Sequence, residues 1–154
     1  MGTVFTPESL ALVAITDGLR GGAPDLVARA SAAVRGGATM VQLRLKDVDA
    51  RTMVEVARAL LAALPSNVVL VVNDRADVAI ASGAAGVHVG PDDLPPAAIR
   101  RIAPPGFVIG ASVGTEAEVA AAADADYVGI GPVFSTASKH DAGDAIGPAR
   151  FAQL

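Results

Sequence analysis

The chain has 154 residues, 12 of them basic and 16 acidic, for a formal charge of −4, and it contains no cysteine. That balance offers no basic face for nucleic acid, and the lack of cysteine removes a disulfide framework, a thiolate nucleophile and a Cys-ligated zinc site. Apolar residues make up 52% and aromatic residues only 3%, so the expectation is one domain spanning residues 1–154, with a core of small and branched aliphatics. Met1–Glu8 has no basic segment followed by a long apolar run, so no signal peptide is read there. No apolar stretch reaches the ~20 residues of a membrane span. Together these features predict a soluble, cytoplasmic protein.

Apolar runs of strand length recur at Leu12–Thr16, Met40–Leu45, Val68–Asn73, Gly86–Val89, Phe107–Ala111 and Tyr127–Gly131. Most are continuous rather than alternating, as in parallel strands covered on both faces. Helical patterns lie between them. Pro24 suits a first turn ahead of Leu26, Val27 and Ala30, and Gly36-Gly37 is a stop signal. Asp49 can cap a helix to about Leu64 that carries Met53, Val56, Ala57, Leu60, Leu61 and Leu64 on one side. Arg75–Ser82 can form a short helix ending at Gly83. Pro95-Pro96 opens another through Ile102. Thr115 and Glu118 form a capping box for a helix through about Ala123, and a sixth helix begins near Pro148.

About six βα units, each of about 20–28 residues, fit crossover helices packed on a parallel sheet. An open doubly wound sheet would concentrate ligand chemistry at one switch point, and Gly18-Leu19-Arg20-Gly21-Gly22 has the wrong spacing for a dinucleotide fingerprint. Polar residues at nearly every strand end favour a (β/α)₈ TIM-barrel type instead, apparently incomplete because a closed barrel has eight strands.

The strand ends carry the candidate chemistry. Gln42, Arg44 and Lys46 alternate, which points them to one face, and cations within an apolar shell call for an anionic partner such as a phosphate. Asp74 follows Asn73 at the end of a buried strand and suits Mg²⁺, which takes one or two carboxylates plus water and phosphate oxygens. The alternative is that Asp74 pairs with Arg75 or caps the next helix. Of Asp92 and Asp93, one could cap the Pro95 helix while the other ligates metal. His88 is as compatible with a structural role as with a catalytic one, and its orientation stays open. Ser112 lacks a nucleophile-elbow pattern and fits a ligand hydrogen bond. Ser135–Asp141, with Thr136, Ser138 and Lys139, suits anion recognition after a buried strand.

Together these residues resemble the thiamine-phosphate synthase family, from about Leu12 to the end of the chain. The resemblance implies a (β/α)₈ barrel that joins 4-amino-2-methyl-5-hydroxymethylpyrimidine diphosphate to 4-methyl-5-(2-phosphooxyethyl)thiazole and releases diphosphate. Gln42–Lys46 resembles the Gln-x-Arg-x-Lys segment that holds the pyrimidine diphosphate, Asn73 a pyrimidine-binding Asn, and Asp74 and Asp93 the two Mg²⁺ ligands. Ser112 is similar to a Ser on the pyrimidine, Thr136–Ser138 to the Thr-x-Thr segment at the thiazole phosphate, and Lys139 to a Lys on the diphosphate. Arg44, Lys46 and Lys139 are then the expected catalytic residues. Pro91 stands where Gln is common, and Ser138 where Thr is common, which keeps the hydroxyl.

The family pattern continues with two further βα units that have no counterpart in these residues. The expectations are therefore a truncated form or a barrel completed by another chain, a homo-oligomer included. The implied partners are the two small-molecule substrates, not nucleic acid or a membrane. Two other readings stay open: a non-catalytic family member that at most binds a diphosphate ligand, and a related thiazole tautomerase-type barrel. The Thr136–Asp141 loop speaks against the latter.

Overall fold

The computed structural model describes residues 4–135 and 144–154. A short 3-10 turn at Pro7–Leu10 precedes six βα units: β1 Val13–Ile15, α1 Gly22–Arg35, β2 Met40–Leu43, α2 Ala50–Ala63, β3 Val69–Asn73, α3 Ala76–Ser82, β4 Gly86–Val89, α4 Pro96–Arg100, β5 Val108–Val113, α5 Glu116–Ala121, β6 Tyr127–Ile130 and α6 Gly147–Phe151. The strands are hydrogen-bonded in the sequential order β1-β2-β3-β4-β5-β6, and β1–β2, β2–β3, β3–β4 and β5–β6 are parallel. Sequential parallel strands joined by helices are the connectivity of the (β/α)₈ barrel, here as six βα units. The backbone contacts divide the chain into two compact units, Met1–His88 with Ala103–Val108, and Val89–Ile102 with Ile109–Leu154.

In the first unit β2 and β3 are buried on both faces. Val41, Leu43, Leu70 and Val72 lie on one side; Met40, Gln42, Val69 and Val71 lie on the other, none more than 5% exposed. This double burial explains why both runs are continuous. α2 packs against α1 and α3, burying Met53, Val56, Ala57 and Leu60. Asp49 caps it through a 3.0 Å bond from the Thr52 N–H, and Gly83 ends α3 in the left-handed conformation. Gly86 has no alternative, because a Cβ there would lie 2.0 Å from the carbonyl oxygen of Val108. Val108 in turn donates its N–H to the Ala85 carbonyl at 2.9 Å.

In the second unit Ile99, Ile109, Ala111 and Val113 are buried. Asp126 joins its elements: its carboxylate accepts from the Ile109 N–H at 2.7 Å and from the Arg100 guanidinium at 2.8 Å. Thr115 and Glu118 form the expected capping box on α5. Arg150 of α6 is paired with Glu116 of α5, which holds the Glu116 carboxyl below its ordinary range.

Several boundaries differ from the sequence reading. β2 ends at Leu43, not Leu45, because the main chain of Arg44 bonds to a side chain, the Thr16 hydroxyl. β5 runs on to Val113, since its pairing with β6 includes Ser112↔Gly129 and Val113↔Ile130; long-range pairing outweighs the polar break at Ser112. Leu61 is 39% exposed, because the buried stripe of α2 is only as wide as Met53, Val56, Ala57 and Leu60 require. α4 starts after Pro95 without a side-chain cap, so neither Asp92 nor Asp93 caps it.

Gly86→Ala is expected to destabilise the fold by about 1–3 kcal/mol or more, because the new methyl meets main chain that cannot turn aside. Asp49→Ala should cost only about 1 kcal/mol, the worth of a cap. Chemical denaturation of the two variants checks the order, and an equal or inverted cost would contradict it.

Candidate functional site

The β2–β3–β4 register fixes which side chains share a face. Gln42 pairs with Val71, and Asn73 pairs with His88. Val71 and Asn73 are two residues apart, so Gln42, Asn73 and His88 lie on one side of the sheet. That settles the orientation of His88: it stands beside Asn73. The last β2–β3 rung is Leu43↔Val72. Arg44 and Asn73 therefore each follow the same rung, at the same carboxyl end.

The cations sit differently from the sequence expectation. Arg44 is half-buried and Lys46 exposed, and both lie beyond the end of β2. They belong to a rim rather than to an apolar interior, because the chain leaves the sheet at Arg44. Leu45 between them is buried, so the inward–outward alternation persists for a few residues past the strand.

A left-handed aspartate follows each strand: Asp47, four residues past the end of β2, has φ 59° and Asp74, directly after β3, has φ 64°. This conformation is uncommon outside glycine and worth about 1–2 kcal/mol of strain; such strain gathers at functional sites. The Asp74 N–H donates to the His88 carbonyl at 2.8 Å, and Arg75 N–H to the Asn73 carbonyl at 2.7 Å. The Arg75 guanidinium is engaged by Asp77, at 2.9 Å from Nε and 2.6 Å from Nη2. That pair depresses the Asp77 carboxyl and raises the Arg75 guanidinium from their ordinary values. The position capping α3 is Arg75, not Asp74.

In the second unit Asp93 closes a tight turn: its Oδ2 accepts from the Gly90 N–H at 2.8 Å. Ser112 is half-buried near the end of β5 and pairs with Gly129. Two rungs earlier, Gly110 faces Tyr127, and a Cβ on Gly110 would lie 2.2 Å from the tyrosine ring. Glycine at 110 thus makes room for the ring, and burial pushes the phenol up to about 12. Thr136, Ser138 and Lys139 lie outside the described residues.

Sequence reasoning passed over two features. Thr16 counted only as the end of a strand, although a polar residue closing an apolar run was the available signal. The left-handed turn at Asp47 leaves no mark in the sequence. Two clefts, of about 440 and 550 Å³, open in the first unit. The smaller is lined by Thr39 and Val68 at the amino ends of β2 and β3, the larger by Leu64, Val68 and Phe107. Neither contains a candidate residue, and the amino end of a barrel is the end associated with stability.

A family model described as thiamine monophosphate synthase matches residues 12–154. The chain belongs to that family. It is 49% identical over 144 residues to a thiamine-phosphate synthase of Xanthobacter autotrophicus, covering 92% of this chain and 68% of the relative. It is 46% identical over 151 residues to one of Azorhizobium caulinodans, covering 96% and 71%. A relative from Roseiflexus sp. is 48% identical over 143 residues, with 61% of its length covered. Among solved structures, thiamine phosphate pyrophosphorylase from Pyrococcus furiosus matches with a TM-score of 0.74 and 39% identity, over 84% of this chain and 63% of that one. The chain thus spans roughly two thirds of the length of these thiamine monophosphate synthase relatives.

Tyr127 is the chain's single tyrosine, so phenolate absorbance reports it alone. The folded protein should ionise near 12 and the denatured chain near the ordinary value of 10. Between those values the unfolded chain binds fewer protons, so this contribution to stability is whole below pH ~10 and falls as pH rises toward ~12. A folded-state midpoint at the ordinary value would contradict the packing of Tyr127 over Gly110.

Proposed function

We propose that this chain, acting as one barrel-type domain, is a thiamine-phosphate synthase. In the proposed reaction the thiazole nitrogen of 4-methyl-5-(2-phosphooxyethyl)thiazole forms a bond to the exocyclic CH₂ of 4-amino-2-methyl-5-hydroxymethylpyrimidine diphosphate. The C–O bond breaks, and the electron pair leaves with diphosphate. The observation that supports this reading is the shared carboxyl end of β2 and β3, where Gln42 and Asn73 lie on one side of the sheet and Arg44 follows the same rung as Asn73, in a chain of this family. A single family model running across both compact units supports treating them as one domain.

The roles follow from charge. Arg44 and Lys46 balance the diphosphate, Arg by a planar fork and Lys as a point charge. Lys139 is assigned to the same leaving group. Gln42, Asn73 and Ser112 supply the neutral hydrogen bonds that orient the aminopyrimidine. Thr136 and Ser138 are assigned to the thiazole phosphate. The attacking nitrogen carries no proton, so no general base is needed, and the protein's work is to stabilise charge on the departing diphosphate.

Asp74 and Asp93 are the assigned Mg²⁺ ligands. The donor chemistry of each fits a small hard cation: Asp74 directly follows β3, and Asp93, in the turn after β4, has Oδ1 remaining after Oδ2 is taken by Gly90. Among the described residues no three His, Cys, Asp or Glu side chains form a group that could hold a metal ion; in the proposed site water and phosphate oxygens would complete the ion's shell. When bound, the ion would neutralise charge on the diphosphate. No helix among the described residues is long and apolar enough to cross a membrane, and the two charged substrates suit a cytoplasmic setting.

The test is release of diphosphate and formation of thiamine phosphate from both substrates with Mg²⁺. Arg44→Ala should lower kcat/KM by about 10²–10³-fold, as removal of a charge-stabilising donor does. A chain that forms no thiamine phosphate under saturating substrates would refute the reading.

A further inference from the structure

The hydroxyl of Thr16 makes two bonds to one residue. Its oxygen accepts from the Arg44 N–H at 2.9 Å, and its O–H donates to the Arg44 carbonyl at 3.1 Å. The Thr16 N–H also donates to the Gln42 carbonyl at 3.0 Å. In a regular parallel ladder a residue whose N–H reaches residue 42 would receive the N–H of residue 44 on its own carbonyl. Here a side-chain oxygen receives it. The main chain of β1 can therefore turn away into the loop toward α1 while Arg44 stays tethered one residue beyond the end of β2.

The loop that follows is itself tied down. Arg29 of α1 pairs with Asp17, donates to Asp25 Oδ2 at 2.8 Å and donates to the Gly18 carbonyl at 3.1 Å. Thr16 is thus held on both sides, by the β1–β2 ladder before it and by the Arg29 cluster after it. Its β-branched side chain has few χ1 choices, so the hydroxyl is presented to Arg44 in one orientation.

We propose that Thr16 is a positioning residue: its hydroxyl fixes the main chain of Arg44 so that the guanidinium is presented reproducibly to the diphosphate of the pyrimidine substrate. This rests on the proposed synthase function. A fork that binds two oxygens at once is sensitive to the direction of its own backbone. The role is specific to one substrate, because Arg44 is assigned to the diphosphate and not to the thiazole phosphate.

The test compares Thr16→Val, which keeps the branched shape and deletes the hydroxyl, with Thr16→Ser, which keeps the hydroxyl. Binding of inorganic diphosphate with Mg²⁺ is measured by calorimetry, and KM for each substrate by steady-state kinetics. Thr16→Val should weaken diphosphate binding about tenfold and raise KM for the pyrimidine diphosphate by a similar factor, as loss of two hydrogen bonds implies. KM for the thiazole phosphate should stay unchanged, and Thr16→Ser should return both values to within about threefold of the unsubstituted chain. Unaltered diphosphate binding in Thr16→Val, equal rises in both KM values, or no rescue by serine would overturn the proposal. If Thr16→Val does not fold, amide exchange in the unsubstituted chain decides: the Arg44 N–H should exchange at least about a hundredfold slower than an open amide, and open exchange there refutes the clamp. Failure of the unsubstituted chain to bind diphosphate at all would instead defeat the synthase reading, and this role with it.

Discussion

β2 and β3 are paired in register from Met40↔Val69 to Leu43↔Val72, with both faces of the pair buried. This pairing sets the phase of everything beyond it. A slip of one residue would carry Gln42 to the opposite face and bring Val41 in its place. It would also separate Arg44 from Asn73, which now each follow the rung Leu43↔Val72. Burial on both faces makes such a slip costly, because each strand would have to exchange two tightly filled layers at once. The polar residues at the strand ends can therefore be few and short, since the apolar strands behind them hold the geometry.

How each strand ends matters as much as how it pairs. β1 ends by substituting a hydroxyl for a main-chain carbonyl at Thr16. Asp47, soon after β2, and Asp74, directly after β3, adopt a left-handed conformation, which turns the chain sharply. Aspartate tolerates this region better than most residues with a Cβ. The outcome is that Gln42 and Asn73 are placed by regular ladder geometry, whereas Arg44, Lys46 and Asp74 are placed by irregular backbone anchored at its first residue. Contacts in the second group include the Thr16 clamp on Arg44 and the bond from Asp74 N–H to the His88 carbonyl.

The sequence disclosed the ladder well and the anchors poorly, and the physics explains the division. Continuous runs such as Val69–Val72 mark a doubly covered strand because burial selects every residue alike. Asp49 and the Thr115–Glu118 box were readable because caps act over three or four residues. The extent of β5 was not readable: Ser112 interrupts the run, and only pairing with Gly129 and Ile130 on β6 keeps it in the sheet. Likewise Arg44 and Lys46 alternate in sequence as if inside a strand, yet the strand stops at Leu43. A contact between Thr16 and Arg44, 28 positions apart, has no local signature. The family resemblance supplied roles that residue patterns alone left open, notably for Asp93 and Ser112.

In the proposed metal role, a local turn prepares Asp93 as a ligand. Its Oδ2 accepts the Gly90 N–H, and a Cβ on Gly90 would sit 3.3 Å from that same oxygen. Glycine at 90 leaves space for the carboxylate to lie against the main chain. A carboxylate held in this way has lost most of its rotational freedom before any cation arrives, so ligation through Oδ1 costs less ordering than it would for a swinging side chain. The same bond withdraws some electron density from the carboxylate, which favours a hard ion that works by charge over one that needs a strong donor. In the proposed metal role, Gly90 is therefore part of the reason that Asp93, rather than the exposed Asp92 beside it, is the residue suited to bind.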